Sequence, residues 1–286
     1  MPSPPPTPPE PSAGSPDRVG TARLLQAHGL RPDTELGQHF LLDENLADLA
    51  VRQARVGPDD VVLEVGAGVG TLTVAIARAA RFVHTIEIDI RLEPVLRDAL
   101  TGVDNVAIHW ADVLAANLEA LDPRPTRMVA NLPYSIATPI VLESLWRLPG
   151  IAVWTVMVQR EVADRWLAQP GSSAYGGPTV LLRLATRSFF MRGVGPQVFT
   201  PRPRVESALV GLERTAPGPT PPVRSLVHAA FAQRRKTLVN ALAASGADKA
   251  AVAAALAARG IAPTVRAQEL APEVFPELAR ELEWTA

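Results

Sequence analysis

The sequence contains no cysteine. This absence excludes disulfides, thiolate metal sites and cysteine nucleophiles, and it is compatible with a reducing cytosol. The chain also lacks any apolar run of the roughly 20 residues that a transmembrane helix requires, and its first residues are rich in proline instead of being basic and then apolar. We therefore expect a soluble, cytoplasmic protein with no signal peptide, and we predict no metal site.

The net charge is also small, −1 over 286 residues, which on its own argues against a nucleic-acid enzyme. The charges are nevertheless distributed unevenly. Residues 147–236 contain 13 basic and 4 acidic residues, whereas residues 1–146 contain 11 basic and 19 acidic ones. Because the basic residues are mostly arginine, which binds phosphate and stacks on bases, this asymmetry indicates a polyanion-binding surface. A solvated basic face balanced by the acidic half is the alternative.

Length and composition predict one α/β domain with a small second domain. With 286 residues and 47% apolar content, the chain can build a sizeable core. Residues 1–17 hold eight prolines and are predicted to form a disordered tail, followed by a short helix over 21–28. The α/β domain would span 18–214, a proline-rich linker 215–222, and a helical domain 223–286.

A glycine-rich turn follows a strong strand pattern. Residues 61–70 are typical of a buried strand followed by glycines at positions one, three and five from Gly66, and 71–80 have helical spacing. The dinucleotide fingerprint needs its last glycine at position six, where this chain has Thr71, so the spacing disfavours a nicotinamide-dependent oxidoreductase. The turn still lets a bulky ligand lie against the backbone, and Glu64 could bind a cationic group or organise the loop.

Polar side chains occur where the next three strand patterns end. Glu87 ends the second, where a carboxylate can accept both hydroxyls of a ribose, with a plain surface acid as the alternative. Asp112 follows the third, over 106–110, and could accept a hydrogen bond from the amino group of a bound adenine. The fourth ends at Asn131. Because parallel strands present their carboxyl ends at one edge, these residues predict a ligand site on an open parallel sheet.

The segment Asn131-Leu132-Pro133-Tyr134 has the groups needed to hold a planar amine. Pro133 restricts Leu132 to an extended conformation, so the Leu132 carbonyl has no helix to join. The Asn131 side-chain oxygen and this carbonyl can accept the two hydrogens of an exocyclic amino group, while Tyr134 stacks on the ring. An ordinary turn at a strand end is the alternative.

Two later segments are basic. Phe199, Arg202 and Arg204 lie in a proline-stiffened stretch, and Arg234-Arg235-Lys236 forms a compact cluster in the helical domain. Arginine interleaved with an exposed aromatic fits stacking on nucleic acid, although Phe199 could equally be a core residue.

Together these motifs resemble the bacterial family of ribosomal RNA small-subunit adenine N6,N6-dimethyltransferases, over residues 20–284. The matching segments are 37–41, 64–70, Glu87, Asp112, Asn131-Leu132-Pro133-Tyr134, 199–207 and 231–238. The resemblance implies an α/β fold, namely a Rossmann-like class I S-adenosylmethionine-dependent methyltransferase sheet with a small C-terminal all-helical domain. It also implies methylation of two adjacent adenines near the 3′ end of 16S rRNA, in the 30S particle, and a role in small-subunit biogenesis. We expect a monomer.

The resemblance also implies roles for individual residues. The expected S-adenosylmethionine contacts are His39, Leu41, Gly66, Glu87, Asp112 and Asn131. The expected catalytic residues are Asn131, Leu132, Pro133, Tyr134 and Phe199, with the two aromatic rings on either side of the adenine. The expected RNA-binding residues are Arg202, Arg204, Arg234, Arg235 and Lys236. His39 stands where the family usually has asparagine.

Other functions remain open at this point. The sister family that dimethylates 23S rRNA and confers macrolide resistance usually has isoleucine at the position of Leu132, and DNA adenine methyltransferases generally have proline there. Leu132 and the match over 199–207 therefore favour the small subunit. A ribosome assembly factor whose methylation is secondary is the alternative from a different class.

Overall fold

The computed structural model describes residues 29–30, 32–33 and 37–285. The predicted proline-rich tail over 1–17 and the predicted helix over 21–28 lie outside the described residues. The strands are β1 Phe40–Leu41, β2 Val61–Val65, β3 Phe82–Glu87, β4 Val106–Trp110, β5 Arg127–Asn131, β6 Val153–Gln159, β7 Thr186–Val194, β8 Phe199–Thr200 and β9 Ser207–Arg214. The helices are α1 Glu44–Gln53, α2 Thr71–Ala77, α3 Glu93–Ala99, α4 Ala137–Arg147, α5 Arg160–Trp166, α6 Gly177–Ala185, α7 Pro221–Phe231, α8 Leu238–Ala243, α9 Lys249–Ala257 and α10 Val274–Glu281.

Seven strands form one sheet in the order β4-β3-β2-β5-β6-β9-β7. Strands β4, β3, β2, β5 and β6 are mutually parallel, and β9 runs antiparallel between β6 and β7. The predicted parallel arrangement of β2, β3, β4 and β5 is therefore confirmed, and their carboxyl ends lie at one edge. The remaining two strands, β1 and β8, form a small antiparallel sheet of their own.

The central strands are apolar on both faces. In β2, Leu63 and Val65 belong to one apolar cluster, whereas Val62 belongs to a second. Such near-continuous apolar runs are typical of parallel strands covered by helices on both sides. The sheet is therefore a rigid platform, and the loops at its carboxyl edge start from well-fixed positions.

The helix starts follow the local sequence. Asp43 caps α1 as predicted, because its carboxylate accepts a hydrogen bond from the Leu46 amide at 3.0 Å. Asp89 also acts as a cap, but of a short 3₁₀ turn over Ile90–Leu92 that precedes α3.

The structure differs from the sequence predictions after β6. The sequence over 171–178 predicts a loop, but α6 already begins at Gly177, and the stretch that follows divides into α6 and the long strand β7. The sequence over 223–244 has helical spacing throughout, but it divides into α7 and α8, because Thr237 caps a new helix start with its hydroxyl. The basic cluster therefore lies in the turn between two helices.

The predicted linker is packed against the α/β region. A side chain at Gly218 would come within 2.7 Å of the Leu145 carbonyl of α4. The apolar core of the helical region also contains Tyr175 and Val180, which precede the linker. The two predicted domains therefore share a core. No helix among the described residues is long and apolar enough to span a bilayer.

Candidate functional site

A pocket lies at the carboxyl edge of the sheet, beneath the segment that leads into β1. It is lined by Gly37, Gln38, His39, Phe40, Gly66, Gly68, Glu87, Ile88, Asn131, Leu132, Pro133 and Tyr134. Seven residues singled out in the sequence therefore meet in one place. Leu41, Asp112 and Phe199 do not line the pocket.

The glycine turn brings the backbone to the pocket. Gly66, Gly68 and Gly70 have φ values of 80°, 56° and 85°, in the left-handed region that favours glycine. At Gly68 there is a second constraint, because a Cβ would lie 2.9 Å from the Phe40 ring. The ring of Phe40 can therefore cover the turn only because position 68 has no side chain.

Glu87 is held at the end of β3 by backbone donors. One carboxylate oxygen accepts a hydrogen bond from the Gly68 amide at 2.9 Å, and the other accepts from the amides of Ile88 and Asp89, each at 2.9 Å. Burial raises the pKa of Glu87, and these backbone hydrogen bonds oppose that shift. Because a carboxylate has about four acceptor positions, room remains for a hydroxyl donor from a ligand.

The segment over the pocket is tied to the same strand end by Gln38. Its amide nitrogen donates to Asp89 at 2.8 Å, and its amide oxygen accepts from the Asp33 backbone at 2.7 Å. Hydrogen bonds from Arg91 lower the pKa of Asp89, so this carboxylate stays ionised as an acceptor. The sequence had not singled out Gln38 as a site residue, although it lies within the Gly37-to-Leu41 motif.

Asn131 is oriented by the same segment. Its side-chain nitrogen donates to the His39 carbonyl at 2.9 Å. A carbonyl can only accept, so this bond fixes the nitrogen toward His39 and leaves the side-chain oxygen as an acceptor. The Leu132 amide donates to the Met157 carbonyl at 3.1 Å, and no described residue donates to the Leu132 carbonyl. Both predicted acceptors therefore have capacity for a ligand.

Tyr134 is held on two sides. Its hydroxyl lies 2.6 Å from the Ser207 hydroxyl, and its ring stacks with His39 at a centroid distance of 5.5 Å and an interplanar angle of 29°. Burial raises the pKa of Tyr134, so the phenol stays neutral. His39 is fixed in turn, because its Nδ1 lies 2.7 Å from the Pro201 carbonyl.

Leu41 and Phe199 are core residues in the structure. They are paired in the β1–β8 ladder, and they are 4% and 1% exposed. The sequence left Phe199 open between the core and a stacking role, and the structure places its ring in the core, away from the pocket lining. In this arrangement Phe40, which the sequence had not singled out, occupies the position over the glycine turn.

The strand end at which Asp112 was predicted to bind the cofactor adenine is less enclosed. Asp112 is exposed, and its carboxylate accepts from the Leu114 amide at 2.9 Å. Ile88 and Leu114 are large apolar side chains that are 54% and 40% exposed at the ends of β3 and β4. Exposed apolar groups beside polar strand ends fit the flat face of a ligand ring. Ile88 could have been identified from the sequence, because it is an apolar residue directly after the carboxylate that ends β3.

Glu64 lies below the glycine turn and not in the pocket lining. It is fully buried, and it accepts a hydrogen bond from the Thr73 hydroxyl of α2 at 2.7 Å. Burial raises the pKa of Glu64 to about 7, and the Thr73 bond opposes the shift. Of the two predicted roles, this placement fits organisation of the loop.

The basic residues that were predicted to bind RNA differ in their surroundings. Arg202, Arg204, Arg235 and Lys236 are exposed. Arg234 is also exposed but donates to the carbonyls of Ser173 and Tyr175, at 2.8 and 2.9 Å.

Arg234 therefore anchors the basic turn to the segment that precedes α6.

Among residues 29–30, 32–33 and 37–285, no group of three acidic or histidine side chains is arranged to hold a metal. A separate, mainly apolar groove between α4, α6 and α7 contains none of the predicted site residues.

Comparison with known proteins gives consistent matches along the chain. The family model described as "Ribosomal RNA adenine dimethylase" matches residues 29–283. A "Ribosomal RNA small subunit methyltransferase A" of Rubrobacter xylanophilus is 46% identical over 254 residues, which are 88% of this chain and 95% of that protein. The protein of the same name from Deinococcus radiodurans is 42% identical, over 90% of this chain and 87% of its own length.

Solved structures show the same fold. A dimethyladenosine transferase of Plasmodium falciparum superposes with a TM-score of 0.73 and 24% identity, covering 86% of this chain and 98% of that one. The 23S rRNA methyltransferase ErmE superposes with a TM-score of 0.64 and 30% identity, covering 85% of this chain and 99% of that one.

Proposed function

Because this chain belongs to the ribosomal RNA adenine dimethylase family, we propose that it transfers methyl groups from S-adenosylmethionine to N6 of two adjacent adenines in 16S rRNA of the 30S subunit. The enzyme class follows from the family, and the fold is that of class I S-adenosylmethionine-dependent methyltransferases. The observation that carries the proposal is the orientation of Asn131. Its amide nitrogen donates a hydrogen bond to the His39 carbonyl, so its oxygen is left to accept a hydrogen bond from a substrate amine.

The small subunit is favoured by the degree of similarity. Relatives with the name "Ribosomal RNA small subunit methyltransferase A" are 46% and 42% identical to this chain, whereas the 23S rRNA methyltransferase ErmE is 30% identical. Leu132 supports the same choice. We assign the protein to the cytoplasm because the proposed substrate is the 30S particle.

The residues around the pocket support S-adenosylmethionine as the cofactor. When bound, this cofactor supplies a methyl group that its sulfonium makes electrophilic. Glu87 would accept from a ribose hydroxyl, Asp112 after the neighbouring strand end would accept from the adenine amine, and Ile88 would lie against the adenine ring. The positive φ values of Gly66 and Gly68 shape the turn against the pocket, and Gly66 presents its backbone to the ligand without a side chain.

The remaining task of the protein is to present adenine N6. The nitrogen lone pair is delocalised into the ring, so N6 is a weak nucleophile in the plane of the base. The Asn131 oxygen and the Leu132 carbonyl would accept its two hydrogens and direct the lone pair out of the plane. Such positioning can lower an activation barrier by roughly 7–11 kcal/mol. With the first transfer N6 gains the methyl group and releases one proton to solvent, so it retains one hydrogen and a second methylation is chemically possible.

The base must leave its stack to reach the pocket, and Tyr134 offers the aromatic face that receives it. Its ring is held by His39 and Ser207 before any substrate arrives. Arg202 and Arg204 follow Pro201 on the exposed loop next to His39, where they would bind phosphates. Phosphate contacts carry little sequence information, so the target would be chosen largely by RNA shape.

The test is incubation of the purified chain and labelled S-adenosylmethionine with undermethylated 30S particles and, separately, with 50S particles, followed by nucleoside analysis. We expect dimethyladenosine in the 30S sample alone, lost with Asn131→Ala and retained with Asn117→Ala, a change at an exposed asparagine with no side-chain cap bond. Label in the 50S sample alone would transfer the protein to the large-subunit function. Cofactor and 30S binding without label would favour an assembly factor.

A further inference from the structure

We propose that His39 is a positioning residue that couples occupation of the cofactor pocket to engagement of RNA by the loop over 201–206. The coupling would act through the hydrogen bond between the His39 ring and the Pro201 carbonyl. This inference rests on the proposed function, because it takes S-adenosylmethionine and rRNA as the two ligands.

The segment that contains His39 touches both parts of the pocket. On the cofactor side, Gln38 donates to Asp89, which lies two residues after Glu87 and donates its own amide to the Glu87 carboxylate. On the substrate side, the His39 carbonyl accepts from Asn131. A displacement of this segment would therefore alter both the wall of the cofactor pocket and the orientation of the acceptor for the adenine amine.

The same segment is joined to the loop over 201–206, which we call the RNA-facing loop. Residues Phe40 and Thr200 are paired in the β1–β8 ladder, and the His39 ring reaches one residue further, to the Pro201 carbonyl at 2.7 Å. Arg202 follows immediately, and Val205, which is 46% exposed, lies on the same loop. The bond thus spans 162 residues of sequence and ends where the exposed arginines begin.

The chemistry of the bond assigns its donor. Because the Pro201 carbonyl can only accept, Nδ1 of His39 must carry the hydrogen. The ring then has one edge bound to the RNA-facing loop and one face stacked on Tyr134, at 5.5 Å between centroids. A ligand that orders the 201–206 loop would hold the His39 ring, and through it the segment over the cofactor. Two ligands that order the same element bind cooperatively, and the effect is reciprocal.

Three substitutions separate the hydrogen bond from the ring. His39→Asn keeps a nitrogen donor close to the position of Nδ1 but removes the ring. His39→Phe keeps a ring beside Tyr134 but removes the donor, and His39→Ala removes both. The Kd of S-adenosylhomocysteine is measured for each protein alone and with saturating undermethylated 30S particles. Thermal unfolding confirms that each variant is folded. If His39→Phe does not fold, His39→Asn and His39→Ala still compare a protein that has the hydrogen-bond donor with one that lacks it.

We expect the wild type and His39→Asn to bind the cofactor product about fivefold more tightly with particles than without, the change that one hydrogen bond of typical strength supplies. His39→Phe and His39→Ala, which also alter the pocket lining, should each show the same affinity with particles as without, whatever that affinity is. Full tightening in His39→Phe, or none in the wild type, would overturn the inference. A wild type that methylates 30S particles without tightening would remove only the coupling, whereas one that does not methylate them would remove the proposed function.

Discussion

The side-chain amide of Asn131 donates a hydrogen bond to the backbone carbonyl of His39 over 2.9 Å, joining two motifs that lie 92 residues apart. This contact decides which end of the amide is left free to accept a hydrogen bond in the pocket. It also makes the predicted catalytic asparagine dependent on a segment whose own position is set by Asp89 and Pro201. The geometry of the proposed acceptor site is therefore a property of the assembled pocket and not of the Asn131 motif alone.

Replacing Asn131 by aspartate tests that relationship. The aspartate has nearly the same shape but no donor, so a carboxylate oxygen would face the His39 carbonyl and the segment would be repelled. We expect the single-turnover rate constant for methyl transfer to fall about 100-fold or more, the typical cost of losing one positioned polar group. Single-turnover transfer to 30S particles measures this constant, with Asn117→Asp as the exposed control. A rate constant within threefold of the wild-type value would contradict the assigned orientation.

For a substitution at Gly68, a matched control is provided by Gly102, which lies outside the glycine turn. Both have positive φ, 56° and 79°, but a Cβ at Gly68 would lie 2.9 Å from Phe40, whereas none would be met within 4 Å at Gly102. Alanine at either position should cost about 1 kcal/mol of stability from backbone strain. Only Gly68→Ala should also weaken S-adenosylmethionine binding, by tenfold or more, because it displaces the Phe40 ring that lines the pocket.

Isothermal titration of both glycine variants measures cofactor affinity. Adding Phe40→Leu to Gly68→Ala should restore part of the lost affinity by making room for the new methyl group. Equal affinities for the two alanine variants would show that the Phe40 contact is not what the turn protects.

Glu64 predicts a pH dependence of stability. Its pKa rises from 4.5 to about 7 on folding because the carboxyl is buried. The folded state therefore keeps a proton that the unfolded state releases, and this contribution to stability is complete below pH 4.5 and is lost as the pH rises through 7. Because Glu64→Gln cannot ionise, the wild type should lose on the order of 3 kcal/mol relative to the variant between pH 5 and pH 8.

Urea unfolding at both pH values measures the Glu64 effect. The control is Glu161→Gln, at a surface carboxylate whose side chain is 80% exposed and paired with Arg165. A Glu64→Gln difference that is the same at pH 5 and pH 8 would show that the buried carboxyl does not titrate in this range.

The basic turn should separate into an anchor and RNA contacts. Arg234→Ala removes hydrogen bonds to Ser173 and Tyr175, so we expect a lower thermal midpoint as well as weaker RNA binding. Arg235→Ala and Lys236→Ala should leave the midpoint unchanged and reduce the slope of log affinity against log salt by about one each. Lys249→Ala, on an exposed helix start, is the control. A salt slope unaffected by all three changes would exclude this turn from the RNA interface.

Much of the fold was predictable because it depends on local order. Strand ends at Glu87 and Asn131 could be read from apolar runs, and the parallel arrangement follows from the alternation of strands and helices. The glycine spacing after Gly66 disfavoured a dinucleotide site, and this conclusion also rests on local order alone. The division of 177–194 into α6 and β7 was not predictable in this way, because apolar residues run through both elements without a clear change of period.

The sequence by itself determined which groups stand at the carboxyl edge of the sheet: the glycine turn, Glu87, and the amide and carbonyl of Asn131 and Leu132. Their order along the chain is enough, since each follows its own strand. Only the tertiary structure decided that Phe40 covers Gly68, that Phe199 is in the core and that His39 joins the pocket to Pro201. Those contacts join residues far apart in the sequence, so they depend on how the segment before α1 packs against the loop before β9, which no local pattern specifies.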